Sequence, residues 1–367
     1  MTTVSESSSG GGSRHNRFEI VARSLSKLSD LQLIDLVGEA PVLGSGIGGT
    51  RSLLQVDDIP VFVKRVPLTE LERLPGNMMS TSNLFDLPMA CHYGVGSPSF
   101  GAWRELAANV MTTGWVLEGR SARFPLMYHS RVLDSPAFVG PLPDQLGDIE
   151  GLIEHWHGSS AVRRRVEAIA ASSASVTLFL EYLPQVLPDW LERSAHDDSQ
   201  AANGVLAAVE HSLRSGVAFM NASGLFHFDA HFRNILADDQ GLYFADFGLA
   251  TSPSFNLSES ESKFLAANRS HDTCHTITRL VDWIVSAFTD VPDWEARDEL
   301  IQSCAIGDDI LAHLPTSAAA TIKRYAPIAV VINGFYRQLH LHDRATPYPT
   351  AEAEAACATA GLAYYRS

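Results

Sequence analysis

A chain of 367 residues, 46% hydrophobic and 19% charged, is long and apolar enough to bury a substantial core, as one large two-lobed domain or two ordinary ones. Its formal net charge of −15 argues against nucleic acid as a partner; an acidic surface keeps a protein soluble and would also suit a cationic substrate. Cys91, Cys274, Cys304 and Cys357 are scattered and form no C-x-x-C pair, as expected of reduced thiols in a cytoplasmic protein, and no apolar run reaches membrane length or forms a signal core.

Residues 1–16, rich in Ser and Gly, read as a disordered tail. Apolar residues then recur at helical spacing from Phe18 to Val37, with a break at Ser29, where Gln32 three residues later completes a capping-box pattern. Gly44, Gly46 and Gly49 follow as G-x-G-x-x-G, with Ser45 and Gly48 inside the same turn. A dinucleotide-binding loop would open a helix here. This chain continues instead as strand, turn, strand: Ser52–Val56, Asp57–Pro60, then Val61-Phe62-Val63-Lys64-Arg65. Residues 67–100 carry repeated Pro, Gly, Asn and Ser breaks and read as a long insertion of unassigned role. A helix is predicted from Phe100 to Met111, strands over 124–129 and 176–184, a loop over 136–158 and a short helix carrying Arg163-Arg164-Arg165. A long amphipathic helix spans Ala201–Ala222, another begins at His271, and the remainder is mostly helical, with breaks at Pro292, Pro315, Pro327, Pro347 and Pro349.

The stretch Leu225–Ala250 carries the chemistry. His227-x-Asp229 is followed by Asn234 and then by Asp246-Phe247-Gly248. Phosphoryl transfer needs one carboxylate to orient and deprotonate an attacking hydroxyl, and oxygen ligands to hold the magnesium ions that bridge nucleotide phosphates. Asp229 can be the first; Asn234 and Asp246 can be the second. Asp238-Asp239-Gln240-Gly241 between two apolar runs predicts a hairpin that brings Asn234 and Asp246 together. His155-x-His157, His227 with His231, and His271 with Cys274 and His275 have ligand-like spacings, but none makes a four-ligand zinc set by itself.

This segment resembles the catalytic core of protein kinases and of the aminoglycoside and choline phosphotransferases that share their fold. His227-Phe228-Asp229 resembles H-R-D with Phe for Arg, Asp246-Phe247-Gly248 matches D-F-G, and Val61-Phe62-Val63-Lys64 resembles V-A-I-K. The resemblance covers roughly residues 40–290 and implies an α+β bilobal fold: an N-lobe of antiparallel sheet plus helix over 17–183 and a mainly helical C-lobe over 184–367. It implies ATP and Mg2+ as cofactors. The backbone of Gly44, Ser45, Gly46, Gly48 and Gly49 would lie over the phosphates, Lys64 would pair with their oxygens, and Glu105, rather than Glu70 or Glu72, would pair with Lys64. The backbone of Glu181, Tyr182 and Leu183 would meet the adenine edge, and His227 would orient the catalytic loop.

The acceptor is expected to be Ser or Thr of a protein or peptide, including a natural-product precursor peptide, because the polar stretch 250–270 is long enough to form a platform for an extended chain. Small-molecule phosphorylation is the alternative: His231 resembles the D-x-H of the antibiotic-modifying branch, although no G-D-P type motif follows the D-F-G. A nucleotide-binding regulator without activity is the third reading, disfavoured by Lys64, Asp229, Asn234 and Asp246 together.

Overall fold

A computed structural model describes residues 9–94, 96–138, 140–195, 200–307 and 314–362. It is an α+β protein with a five-stranded antiparallel sheet and many helices, and it divides into two compact units. The first comprises Met1–Asp86 and Pro98–Tyr182; the second comprises Leu87–Ser97 and Leu183–Ser367. Among the described residues, no helix is long and apolar enough to cross a membrane.

In the first unit, helices α1 (Ser9–Ser26) and α2 (Asp30–Gly38) precede strands β1 (Val42–Gly46), β2 (Gly49–Val56) and β3 (Ile59–Leu68). Short α3 (Glu70–Arg73) and α4 (Ala102–Leu117) lead to β4 (Met127–Leu133), then α5 (Asp144–Gly147), α6 (Ile149–His155), α7 (Ser160–Ala170) and β5 (Ala174–Glu181). The sheet order is β1-β2-β3-β5-β4. Side chains alternate across a strand, so β3 serves two cores. Val61 and Val63 join Val21, Leu25, Leu33 and Val37 of α1 and α2, whereas Val66 and Leu68 join Trp103 and Leu106 of α4. Lys64 has the parity of Val66 and therefore points to the α4 side.

Helix α1 corrects the expectation of a tail over 1–16: residues 9–16 are helical, while residues 1–8 lie outside the described residues. Three glycines and several serines depress helix propensity, but contacts made further along the chain override it. Arg14 donates through Nε and Nη2 to the Glu181 carboxylate at 3.0 and 2.6 Å, and Arg17 adds a contact at 3.3 Å. The break at Ser29 is a capping box with Gln32, as the spacing predicts. The loop expected over 136–158 instead contains α5 and α6, and Arg165 of the short helix that follows is buried and paired with Glu72 at 2.8 Å.

The second unit contains α8 (Leu187–Ser194), α9 (Gln200–Ala222), the hairpin β6 (Ile235–Asp238) and β7 (Gly241–Phe244), α10 (Glu259–Ala267), α11 (His271–Phe288), α12 (Trp294–Ala305), α13 (Thr316–Leu341) and α14 (Thr350–Thr359). Helix α13 packs against α9, α11, α12 and α14. Pro327 lies inside α13 rather than breaking it. An interior proline costs about 3 kcal/mol; here Tyr325, Ala326, Ile328 and Ala329 are all fully buried around it, and that packing holds the helix together. Helix α10, with a Ser258–Glu261 capping box, occupies part of the polar stretch where the sequence suggests an open platform, and Thr251 and Ser252 before it are buried.

Candidate active site

The first unit presents a glycine hairpin beside a lysine. Strands β1 and β2 close at Gly46 opposite Gly49, and Ser45 Oγ lies 3.0 Å from Thr50 Oγ1. Gly49 has φ 119°, and a Cβ there would lie 1.9 Å from the Arg65 carbonyl oxygen, so only glycine fits. A Cβ on Gly48 would stand 4.0 Å from Lys64 Nζ, which puts the tip of the hairpin over the lysine. Gly44 pairs with Arg51, whose guanidinium would be 3.0 Å from a Cβ at that position. Lys64 Nζ is 2.6 Å from Glu105 Oε1, with both side chains buried. The competing carboxylates are engaged elsewhere: Glu72 caps α3 through Thr69 and binds Arg165, and Glu70 reaches Arg73.

The Glu181 side chain is committed to Arg14, Arg17 and the Leu126 amide, and its own N–H donates to the Leu126 carbonyl at 2.7 Å. What Glu181 can offer a ligand is therefore its backbone carbonyl. Tyr182 ends the first unit and Leu183 opens the second.

In the second unit, one short loop gathers most of the expected residues. His227 is fully buried; its Nδ1 accepts from the Asp229 N–H at 3.3 Å and its Nε2 faces the Ala245 carbonyl at 3.0 Å. The neutral tautomer with hydrogen on Nε2 satisfies both contacts, so His227 ties the Asp229 loop to the residue before Asp246. Asn234 Nδ2 donates to the Asp229 carbonyl and to Asp229 Oδ2, both at 3.0 Å. The Ala245 amide donates to the Asn234 carbonyl at 2.9 Å, and the β6–β7 register pairs Ile235 with Phe244. The hairpin thus sets Asp229, Asn234 and Asp246 side by side. Phe228 and Asp246 both have left-handed backbones, φ 61° and 62°, a strained conformation that packing must hold.

Asp272, at the start of α11, holds the first of these. It is buried and accepts from the His227 N–H at 2.7 Å, the Phe228 N–H at 2.8 Å and Asn221 Nδ2 at 2.9 Å. Burial alone would raise its carboxyl, but His271, His227 and Asn221 outweigh burial and hold its pKa below the ordinary aspartate value.

The insertion with no assigned role supplies a second brace. His92 Nδ1 lies 3.1 Å from the Leu249 carbonyl, and its ring packs on Phe228 and stacks on Phe264. Tyr93 donates to Asn268 at 2.8 Å. Gly94 has φ 92°, and a Cβ there would lie 3.0 Å from Asp229 Oδ1. Proximity in sequence to the lysine strand conceals that Leu87–Ser97 belongs with the unit that carries the Asp229 loop.

Asp229 also lines a cavity of about 800 Å³, with Tyr93 and Gly94 on one side and residues of α11, α12 and α13 on the other, including His275, Arg279, Trp294 and Arg337. His231 lines it as well, 3.7 Å from Asp229 Oδ1. Burial lowers the His231 pKa, partly opposed by the Asp246 charge, so its ring is neutral near pH 7. Of the cavity residues, the sequence reading names Asp229 and His231, and His275 only as part of a ligand-like spacing; it gives no role to Asp272, to Gly94 or to the cavity arginines. Asp272 left one trace, a carboxylate in the first turn of a predicted helix.

Among the described residues, no group of three or more His, Cys, Asp or Glu side chains is placed to hold a metal ion. The oxygen donors at the catalytic loop are the Asp246 carboxylate and the Asn234 amide oxygen, whose NH2 is already spent on Asp229. Two hard oxygen ligands suit magnesium, which is ordinarily held by one or two protein groups, waters and substrate phosphates. No protein-family model matches this chain, and a comparison with curated proteins finds no match either.

Proposed function

We propose that this chain has the bilobal protein-kinase-like fold and is an ATP- and magnesium-dependent phosphotransferase that phosphorylates a hydroxyl of a small molecule bound in the second unit. The observation that carries this reading is Asp229, a carboxylate clamped by Asn234 and by the His227 loop that also lines a cavity of about 800 Å³. A volume of that order suits a small ligand. Its walls come from α11, α12 and α13, and α10 occupies ground that a peptide platform would need. Both features favour the small-molecule alternative over a Ser or Thr of a peptide.

In this reading the acceptor hydroxyl approaches Asp229, which orients it and takes its proton as the oxygen attacks the γ-phosphorus, and the bond from that phosphorus to the β–γ bridging oxygen breaks to release ADP. Asn234 fixes the carboxylate plane through Oδ2, and neutral His231 offers a further hydrogen bond to the acceptor. Asp246 and the Asn234 amide oxygen would hold magnesium, which when bound neutralises charge on the nucleotide phosphates. Lys64, kept in place by Glu105, would pair with phosphate oxygens under the glycine hairpin. The backbone of Glu181 to Leu183 would meet the adenine edge.

The test is mass spectrometry of products from Mg-ATP reactions with a panel of small alcohols and, in parallel, a peptide library. Asp229→Asn should keep a magnesium-dependent thermal shift with ATP and lose transfer. Phosphorylated peptides with untouched small alcohols would return the acceptor to a peptide hydroxyl. A wild-type protein that shows no shift with Mg-ATP would sink the reading altogether.

A further inference from the structure

The cavity at Asp229 is basic in a protein that is not. Lys and Arg number 27 against 42 Asp and Glu over the whole chain, yet Arg233, Arg279, Arg297 and Arg337 all line this cavity, against Asp229 and Asp298. Asp229 belongs to the proposed chemistry, and Asp282, just behind the wall, completes the local acids. Three of the four guanidinium groups, those of Arg279, Arg297 and Arg337, therefore share two structural carboxylates.

They share them incompletely. Arg279 reaches Asp282 at 3.1 Å and donates to Asn333 at 3.0 Å, and Arg337 donates to Asp298. Arg297 stands 3.6 Å from Asp282 and 3.8 Å from Asp298, too far for short hydrogen bonds. Nε of all three arginines is buried without a hydrogen-bond partner among the described residues. Each side chain nevertheless remains 22–33% exposed, so part of each guanidinium faces the open cavity. Tyr336 and Trp294 lie under Arg279 and Arg337 at 5.9 and 5.2 Å, which steadies the guanidinium planes.

His275 adds an independent sign. It lines the cavity at 7% exposure, and neither ring nitrogen has a hydrogen-bond partner among the described residues. A buried imidazole left so is destabilised, and a ligand group bonding it would recover the loss.

Resting on the phosphotransferase reading, we infer that the acceptor is an anionic alcohol: a small hydroxylated molecule whose carboxylate or phosphate is held by Arg279, Arg297 and Arg337, with His275 bonding a neutral oxygen. Arginine forks match the paired oxygens of either anion. The hydroxyl to be phosphorylated faces Asp229 from the same cavity. Burial keeps His275 neutral, so it can donate from one nitrogen and accept at the other. A polycationic aminoglycoside is the wrong charge for this wall, despite the acidity of the whole chain.

The test uses the full chain with magnesium and a non-hydrolysable ATP analogue present, so that the nucleotide site is filled. Binding is read by calorimetry and melting temperature with two anionic arms, gluconate and glycerate for carboxylates, glucose 6-phosphate and glycerol 3-phosphate for phosphates. A third arm holds kanamycin and choline. At least one anionic arm should bind and the cationic arm should not; the arm that binds identifies the anion. Arg337→Gln should weaken that binding tenfold or more. Should it not fold, Arg233→Gln, an exposed substitution, should weaken binding severalfold and flatten its salt dependence. Binding of the cationic arm alone, of no arm, or equal binding by the arginine variants overturns the inference. A melting shift from the nucleotide analogue with no anionic binding sinks this inference only. Anionic binding without any nucleotide shift sinks the phosphotransferase reading and leaves no acceptor role for the site.

Discussion

Asp272→Asn tests whether the catalytic loop is held from α11. The native carboxylate accepts three bonds: His227 N–H and Asn221 Nδ2 at one oxygen, Phe228 N–H at the other. Asparagine is isosteric but has one acceptor oxygen. Oriented to keep the two donors of His227 and Asn221, it turns its NH2 toward the Phe228 N–H, and two donors then face each other in a buried place. A buried donor left unsatisfied costs about 1–3 kcal/mol, and loss of the charge weakens the surviving bonds, so a total of about 2–3 kcal/mol is expected. For a unit of this size that is a fall of about 4–12 °C in melting temperature. Phe228, at φ 61°, loses the bond that fixes it, and Asp229 follows it in sequence. A displacement near 1 Å at a reacting group costs about a hundredfold in rate, so transfer should drop by about that factor while nucleotide binding changes little. The pH dependence carries a sign. Because the folded-state pKa of Asp272 is depressed, its contribution is present above the unfolded value of about 4 and is lost as pH falls through the folded value. The gap between wild type and variant in urea unfolding should accordingly narrow below about pH 4. A variant that melts within a degree of wild type and transfers phosphate at the wild-type rate would refute the role given to Asp272.

Three further outcomes follow from single contacts. Gly94→Ala places a Cβ 3.0 Å from Asp229 Oδ1 at φ 92°; turnover should fall about tenfold or more, with a smaller effect on melting, as steady-state kinetics beside a thermal scan would show. Glu181→Ala leaves Arg14 and Arg17 without their carboxylate, at a cost of about 3 kcal/mol once the exposure of Arg17 is discounted; urea unfolding measures it, and an unchanged midpoint would mean that α1 is held by its apolar face alone. His275 is kept neutral by burial first, then by the charge of Arg279. Its depressed pKa means that the unfolded chain binds the proton more readily, so stability should fall as pH drops below about 6.5, and His275→Gln should reduce that fall.

Local sequence was enough for whatever is set by neighbours along the chain. The Ser29–Gln32 box, the glycine hairpin, the β6–β7 hairpin and the spacing from Asp229 to Asn234 and Asp246 are short-range features, and turn chemistry or strand pairing determines each. The Lys64–Glu105 pair came from the family resemblance, which asks for a helical carboxylate opposite that lysine, with Glu70 and Glu72 too near Lys64 in sequence to return to it on a packed helix.

What the sequence could not show depends on contacts between segments far apart. Composition makes residues 9–16 a tail, and contacts of Arg14 with Ala122, Phe124 and Glu181, all more than 100 positions away, help make a helix there worth its entropy. Pro327 marks a helix end by its own chemistry, and the helices that bury the residues around it and so keep α13 continuous lie elsewhere in the sequence. Cys274 and Cys357, scattered in sequence, bring their sulfurs to 3.2 Å. The cavity is the fullest case: its arginines stand on four separate stretches, Arg233 beside the Asp229 loop, Arg279 on α11, Arg297 on α12 and Arg337 on α13, none with a motif around it. A catalytic loop can be read from spacing because its residues must lie within a few bonds of one another. A binding wall cannot, because helix packing decides which of many surface arginines face the same space, and that packing is a property of the folded chain.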